Sequence, residues 1–128
     1  MPANYWISPF CPPVWDGETS VYIDPLAYEE ALKRDWNATT MAKNLSSELF
    51  VLSWELIEKN GLVLQGGLDL SKKVIHINGS IEGMAAFAIW HKKLVSKHKP
   101  LYFFDEGLSK ILEIKDHTQL SDLVEDLN

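Results

Sequence analysis

Residues 79–95 read GSIEGMAAFAIWHKKLV, and we expect the rest of the chain to pack around this stretch. Its seven consecutive apolar residues, 84 to 90, are too many for the single stripe that a surface helix buries, so we predict a buried central helix. Ser80 is the predicted N-cap, Lys92 and Lys93 suit the negative end of the helix dipole, and Pro100 prevents continuation.

The chain has 128 residues, of which 46% are hydrophobic and 23% are charged. This is the usage of an ordinary globular protein, and the length fits one domain. We therefore expect a single compact domain, 1–128.

The first third predicts two short strands, 4–9 and 19–23, and then a helix. Asp24 is a good N-cap and Pro25 suits the first helical position, so the helix should run to about Trp36.

Residues 40–60 fit both a helical stripe and strict strand alternation. We predict a strand over 48–58, because Asn60-Gly61 is the dipeptide of a type I′ hairpin and the alternation resumes beyond it. A helix with Gly61 as its C-terminal cap is the alternative. Gly66-Gly67 predicts a bulge or a close backbone approach in the returning strand.

Residues 74–77 should add a third strand and complete a meander, and 101–104 with 110–114 should form a hairpin. Asp116 and Gln119 resemble a capping box for a last helix, whose apolar stripe needs either the chain's own sheet or a second copy, as in a homodimer. The fold class predicted is α+β: an antiparallel sheet, made of the meander and the C-terminal hairpin, with a long central helix and two flanking helices.

The net charge is −6, and Arg34 is the single arginine. Phosphate binding needs clustered basic residues, so nucleic acid is a poor partner. The first 32 residues hold five carboxylates and no Lys or Arg, which predicts a surface for a basic protein partner; plain solubility is the alternative. Cys11 has no second cysteine to pair with, and no leader or span of about 20 apolar residues is visible, so we expect a cytoplasmic protein without a membrane segment.

The four histidines lack the spacing of a zinc site, and no phosphate loop or nucleophile motif is present, so no metal, no cofactor and no catalytic residue is predicted. His91 is expected to be solvated or to cap the central helix, and Cys11 to be a small buried thiol. Asp105 and Glu106 are the best carboxylate pair, although adjacent side chains should diverge and a polar turn explains both.

Five places resemble a set of small bacterial proteins without an assigned function. They are Tyr5-Trp6-Ile7-Ser8-Pro9, Trp54-Glu55-Leu56, Gly66-Gly67-Leu68, the run from Ala86 to Lys92, and Phe104-Asp105-Glu106. The resemblance implies a bacterial origin and a strand over 48–58. It carries no functional residues, and His91 and Lys92 stand where the set more often has an aromatic residue and an arginine.

Two functions follow as hypotheses. The first is a non-catalytic interaction module, of an immunity or regulatory type, that presents Trp15, Asp16, Glu18, Glu29 and Glu30 to a protein partner. The second is a small-molecule-binding domain or enzyme, in which Asp105 and Glu106 lie at a pocket between helix and sheet lined by Trp90 and Tyr102.

Overall fold

The computed structural model describes residues 3–14, 21–36, 40–42, 50–57, 61, 63–96 and 99–127, and for residues 3 and 40–42 it describes only the backbone. Within these ranges the chain forms an α+β fold, with helices laid on one antiparallel sheet. In chain order the elements are β1 (Ala3–Ser8), α1 (Pro25–Trp36), β2 (Thr40–Ala42), β3 (Phe50–Ile57), β4 (Val63–Asp69), β5 (Ile75–Gly79), α2 (Ile81–Val95), β6 (Leu101–Asp105), β7 (Ile111–Ile114) and α3 (Leu120–Leu127).

The strands lie in the order β2-β3-β4-β5-β1-β6-β7, and every neighbouring pair is antiparallel. The predicted meander is confirmed as β3-β4-β5, and the predicted hairpin as β6-β7. The N-terminal strand β1 lies between them and joins them, with Tyr5 opposite Ile77 on one side and opposite Asp105 on the other. The first strand of the chain thus joins the meander and the hairpin into one sheet.

One face of the sheet is covered by the three helices, and the opposite face is called the outer face below. Alternate residues of the strands enter a core shared with the helices, such as Ile7, Leu64 and Phe103, which are fully buried. α2 contacts β5 and β7, α1 contacts β3, and α3 contacts α2. Leu123 and Leu127 of α3 belong to the same core, whereas Leu120 of its apolar stripe is exposed, so the homodimer stays a prediction.

α1 and α2 each begin directly after the residue predicted to cap them, Asp24 and Ser80 respectively. A carboxylate oxygen of Asp24 accepts from the amide of Ala27 at 3.4 Å, and Ser80 Oγ accepts from the amide of Gly83 at 3.0 Å. The predicted bounds of α1 and α2 are therefore confirmed. The capping box for α3 is wrong: the helix begins at Leu120, and Asp116 instead accepts from the buried ammonium of Lys92.

The strand prediction for 48–58 is confirmed over 50–57 by β3, and residues 48, 49 and 58 lie outside the described residues. Residues 40–42 add an edge strand that the sequence analysis did not predict. The register contradicts a two-residue turn at Asn60-Gly61. Such a turn would pair Leu56 with Gln65, whereas Leu56 lies opposite Leu64. Gly61 has a φ of +84°, and residues 58–60 and 62 beside it lie outside the described residues.

The predicted strand over 19–23 is wrong where the structure describes it. Val21 and Ile23 are buried while Tyr22 is exposed, so the burial alternates as in a strand. The segment nevertheless has no strand assignment, and the amide of Ile23 donates to the carbonyl of Lys72, in the turn between β4 and β5. The alternating sequence pattern of this segment correctly indicated which side chains are buried, but it did not indicate that the backbone pairs in a strand.

Candidate functional site

Two adjacent glycines of β4 allow aromatic rings to lie flat on both faces of the sheet. A Cβ on Gly66 would lie 2.4 Å from the Trp54 indole on the helix-covered face, and a Cβ on Gly67 would lie 2.7 Å from the Phe50 ring on the outer face. The predicted close approach is confirmed, while the irregularity in register lies in β3, between Phe50 and Leu52. Gly67 thereby lets Phe50 reach across the sheet.

The outer face carries a row of polar residues at matching positions of four strands and of the turn that follows β6. Glu55 of β3 lies opposite Gln65, Gln65 opposite Asn78, and Asn78 opposite Asn4. The amide of Glu106 extends the row, because it donates to the carbonyl of Asn4 at 3.2 Å. We call these five residues the polar row; three amide side chains lie between two carboxylates.

Hydrogen bonds within the polar row orient its middle members. Asn78 Nδ2 donates to Asn4 Oδ1 at 2.6 Å, and Asn4 Nδ2 donates to a carboxylate oxygen of Glu106 at 3.4 Å. The direction of these two bonds leaves Oδ1 of Asn78 available as an acceptor.

An aromatic wall borders the polar row. His76 is in register with Trp6, and their ring centroids are 4.6 Å apart. The Phe50 ring stacks on His76 at 5.8 Å. Burial lowers the pKa of His76, although the negative charge of Glu106 acts in the opposite direction, so the imidazole is neutral at pH 7.

A groove of about 440 Å³ lies where the polar row and the aromatic wall meet, and we call it the outer groove. Asn4, Phe50, Ser53, Trp54, Glu55, Gln65, Gly66, His76 and Asn78 line it. Among these described residues the only charged side chain at pH 7 is Glu55, and Glu106 adds a second carboxylate beside Asn4.

Asp105 has a structural role, because its carboxylate accepts hydrogen bonds within the β6-β7 turn. Asp69 makes similar bonds in the β4-β5 turn. Each aspartate carboxylate accepts from a serine hydroxyl, Ser71 or Ser109, and from the backbone amide five residues ahead. In each turn a residue with positive φ, Lys72 or Leu108, donates its amide to the carbonyl of that aspartate. The bonds to Ser109 and Lys110 lower the pKa of Asp105 although burial opposes them.

The other members of the predicted pocket lie apart from each other. Trp90 is on the helix side, where its Nε1 donates to Asp35 at 2.7 Å and its ring packs against Phe87. Tyr102 alternates with the buried Phe103 and is on the outer face. Since the sheet separates Trp90 from Tyr102, the pocket predicted between helix and sheet is not formed by this pair.

Of the predicted site residues that the structure describes, Glu106 is the one that lies beside the outer groove. Asp105 lies opposite Tyr5 on the helix-covered face, while the carboxylate of Glu106 reaches Asn4 on the outer face. The two side chains diverge, as their adjacency predicted.

The predicted acidic surface is described only in part, since Trp15, Asp16 and Glu18 lie outside the described residues. Glu29 is 3.7 Å from the ammonium of Lys33, and Glu30 is exposed near Arg34. Basic side chains therefore accompany both carboxylates on α1. Binding of a basic protein partner by this surface stays a prediction.

The expectation for His91 is wrong. It is 1% exposed, its Nδ1 lies 2.8 Å from the Tyr28 hydroxyl, and burial lowers its pKa to about 3. The next residue, Lys92, is also buried, with its ammonium 2.5 Å from Asp116. Cys11 was expected to be buried and is exposed.

Within the described ranges, no three His, Cys, Asp or Glu residues lie together in a way that could hold a metal ion. None of the helices in that part of the chain has the length and apolar character required to cross a bilayer. No protein-family model, characterised protein or solved structure matches this chain. The resemblance to small bacterial proteins thus stays a prediction, and the outer groove has to be interpreted from its own chemistry.

Most residues of the outer groove were missed by the sequence analysis. The available signal was Glu55, Gln65 and His76, which are polar residues within predicted strands, whereas Asn78 lies just after the strand predicted over 74–77. That signal shows only that they share a face within each strand. Their alignment with Asn4 requires β1 to pair with β5, a contact between segments more than 70 residues apart.

Proposed function

We propose that this protein is a binding domain that takes a small polar ligand in the outer groove. The observation that carries this proposal is the polar row lying beside the aromatic wall. Ligand sites of proteins are typically clefts of roughly 300–1,000 Å³ in which a few polar groups beside apolar or aromatic surface fix the ligand's orientation. The outer groove, at about 440 Å³, has this size and this mixture of groups.

The parts of the groove are held by regular structure. Gln65, His76 and Asn78 project from β4 and β5, whose backbones are paired on both sides. Phe50 is fixed between the bare backbone of Gly67 and the His76 ring. Groups mounted on strands keep their relative positions, which lowers the entropy lost when a ligand binds.

The geometry favours binding over catalysis by paired carboxylates. Glu55 and Glu106 occupy positions four strands apart, and neighbouring strands are spaced by about 4.8 Å, so their backbones lie roughly 19 Å from each other. Carboxylate pairs that cleave glycosidic bonds lie about 5–10 Å apart, and Glu55 is the only carboxylate among the described residues that line the groove. His76 lies between two aromatic rings, a position that suits stacking.

Ligand screening by NMR tests this proposal. We expect a panel of small polar metabolites to include compounds that shift the backbone amides of Gln65, His76 and Asn78. Gln65→Ala, an exposed position on the groove wall, should weaken those compounds, and the matched Gln119→Ala, at an exposed position before α3, should not. Shifts confined to other surfaces, or equal binding by both variants, would reject the outer groove as the site.

The wider assignments of the sequence analysis remain separate proposals. A cytoplasmic location rests on the single cysteine, and an interaction role rests on the acidic first third of the chain. Neither draws on the outer groove, so neither is affected by the screening result.

A further inference from the structure

We propose that the ligand of the outer groove is a short linear saccharide without charge, which lies across the strands with its sugar rings on the aromatic wall and its hydroxyls at the polar row. This inference rests on the proposed function, because it names the class of molecule that the same groove takes. The observation that carries it is a repeat: three neighbouring strands, β4, β5 and β1, each bring one amide side chain and one aromatic ring to the outer face.

The repeat follows from the register of the strands. From β4 to β1, the three pairs are Gln65 with the Phe50 ring, Asn78 with His76, and Asn4 with Trp6. Phe50 belongs to β3, but its ring covers the bare backbone of Gly67, so it takes the place of a β4 side chain. The amides and the rings therefore form two lines across the sheet, two residues apart along each strand, or roughly 7 Å.

The spacing of the pairs suits a molecule built of repeated units. Neighbouring strands are about 4.8 Å apart, so the pairs recur at a distance close to the length of one sugar unit in an extended chain. A chain in which every unit has an apolar face and polar hydroxyls can meet all three pairs at once. A compound with a single ring meets only one of them. Affinity should therefore rise with the number of sugar units.

The amide side chains offer both donors and acceptors. Asn78 donates through Nδ2 to Asn4, and Asn4 donates to the carboxylate of Glu106. These bonds orient both amides and leave the carbonyl oxygen of Asn78 as an acceptor and one N–H of each amide as a donor. A hydroxyl both donates and accepts, so it matches these groups. An ionised phosphate only accepts and an ammonium only donates, so neither can satisfy both kinds of group.

The aromatic wall suits the C–H face of a sugar ring. The planes of the Phe50 and His76 rings are within 19° of parallel, and both side chains are partly exposed. One side of the Phe50 ring lies on the sheet at Gly67, so the other side is turned toward the groove that it lines. The ring hydrogens of a hexopyranose form an apolar face that packs on such a surface, while the hydroxyls at its rim extend toward the polar row.

Calorimetry with saccharides of increasing length tests the proposal. We expect cellotriose to bind more tightly than cellobiose, and cellobiose more tightly than glucose. Sorbitol has the hydroxyls of an opened glucose chain but no ring face, so it should give no heat. In NMR spectra, cellotriose should shift the side-chain amide signals of Gln65, Asn78 and Asn4 and the indole N–H signal of Trp6.

Three variants test the parts of the site. Phe50→Leu keeps an apolar side chain but removes the ring, and Gln65→Ala removes an amide at an exposed position where folding is least affected. Each should weaken cellotriose by about fivefold, a change equivalent to about 1 kcal/mol. Ile57→Ala is the matched control and should leave the affinity unchanged. It removes exposed apolar surface from the outer face of β3, at a residue that does not belong to the groove lining.

The outcomes separate this inference from the proposed function. If sorbitol binds as tightly as glucose, if glucose binds as tightly as cellotriose, or if Gln65→Ala binds cellotriose with unchanged affinity, the saccharide assignment is wrong. If spermidine or a nucleoside shifts the amides of the outer groove while the saccharides do not, the groove binds a ligand and only the assignment fails. If no compound of the screening panel reaches the groove, the proposed function itself fails.

Discussion

The hydroxyl of Tyr28 lies 2.8 Å from Nδ1 of His91, and this hydrogen bond joins α1 to α2 inside the core. Both side chains are almost fully buried, and burial raises the pKa of Tyr28 while it lowers that of His91 to about 3. The pair is therefore neutral at pH 7. A polar contact buried this deeply stabilises the packing of the helices only while both partners are present.

Replacing Tyr28 with phenylalanine should destabilise the protein by about 1–3 kcal/mol, because Nδ1 of His91 is then buried without its partner. The matched substitution Tyr22→Phe removes a hydroxyl at a residue that is 61% exposed and should change stability by less than about 0.5 kcal/mol. Urea denaturation of the two variants measures both values. Equal stabilities would mean that the Tyr28–His91 bond contributes nothing.

His91 should make stability fall as the solution is acidified. Its pKa is about 3 in the folded protein and 6.5 as the ordinary value, so between these limits the unfolded chain binds a proton that the folded chain does not. The contribution of His91 to the free energy of unfolding is fully present above pH 6.5 and is lost as the pH falls toward 3. The loss is at most about 1.4 kcal/mol per pH unit and roughly 5 kcal/mol in all.

The control for this acid dependence is His91→Gln. His76 also has a lowered pKa and acts with the same sign, so the quantity to compare is the slope of unfolding free energy against pH in the two proteins. The slope between pH 4.5 and 6 should be clearly smaller in the variant. Parallel slopes would show that His91 is not the group responsible.

Gly66→Ala should cost about 1–3 kcal/mol of stability, because the new Cβ would lie 2.4 Å from the Trp54 ring and force it to move. Gly107→Ala is the matched control, since nothing lies within 4 Å of a Cβ there and its φ is not positive. Thermal unfolding gives the two stabilities. A Gly66→Ala protein as stable as Gly107→Ala would contradict the close packing of Trp54 on β4.

Asp105→Ala should weaken the β6-β7 turn and leave ligand binding unchanged. The side chain accepts a hydrogen bond from the amide of Lys110 at 2.9 Å, and losing such turn bonds costs about 0.5–2 kcal/mol. Asp69→Ala should have a similar effect, because Asp69 makes the corresponding bonds in the β4-β5 turn. A large loss of ligand affinity with unchanged stability would show that Asp105 takes part in ligand binding and would contradict a purely structural role.

Local signals in the sequence predicted the helices more accurately than the sheet. Asp24 and Ser80 each cap a helix through contacts within three residues, so their effect is visible in a short window. The capping box at Asp116 failed because a distant partner, Lys92, takes that carboxylate. The strand over 50–57 followed from alternation, but its register with β4 differs from the register that a two-residue turn at Asn60-Gly61 would give.

The pocket predicted at Asp105 shows that local sequence was also insufficient to predict the functional site. Asp105 and Glu106 are neighbours in sequence, yet they serve a turn and the outer face respectively. Sequence alone could not separate those roles, since a carboxylate at a strand end suits either of them.

The sequence by itself determined the elements that need only near neighbours: the buried central helix, the caps of α1 and α2, the meander and the C-terminal hairpin. The tertiary structure decided that β1 lies between β5 and β6, which aligns Asn4 with Asn78 and brings Glu106 to the end of the polar row. It also decided that His91 is buried against Tyr28. The physical reason is that pairing between distant strands and helices depends on which apolar faces can be covered together, and no short stretch of sequence contains that information.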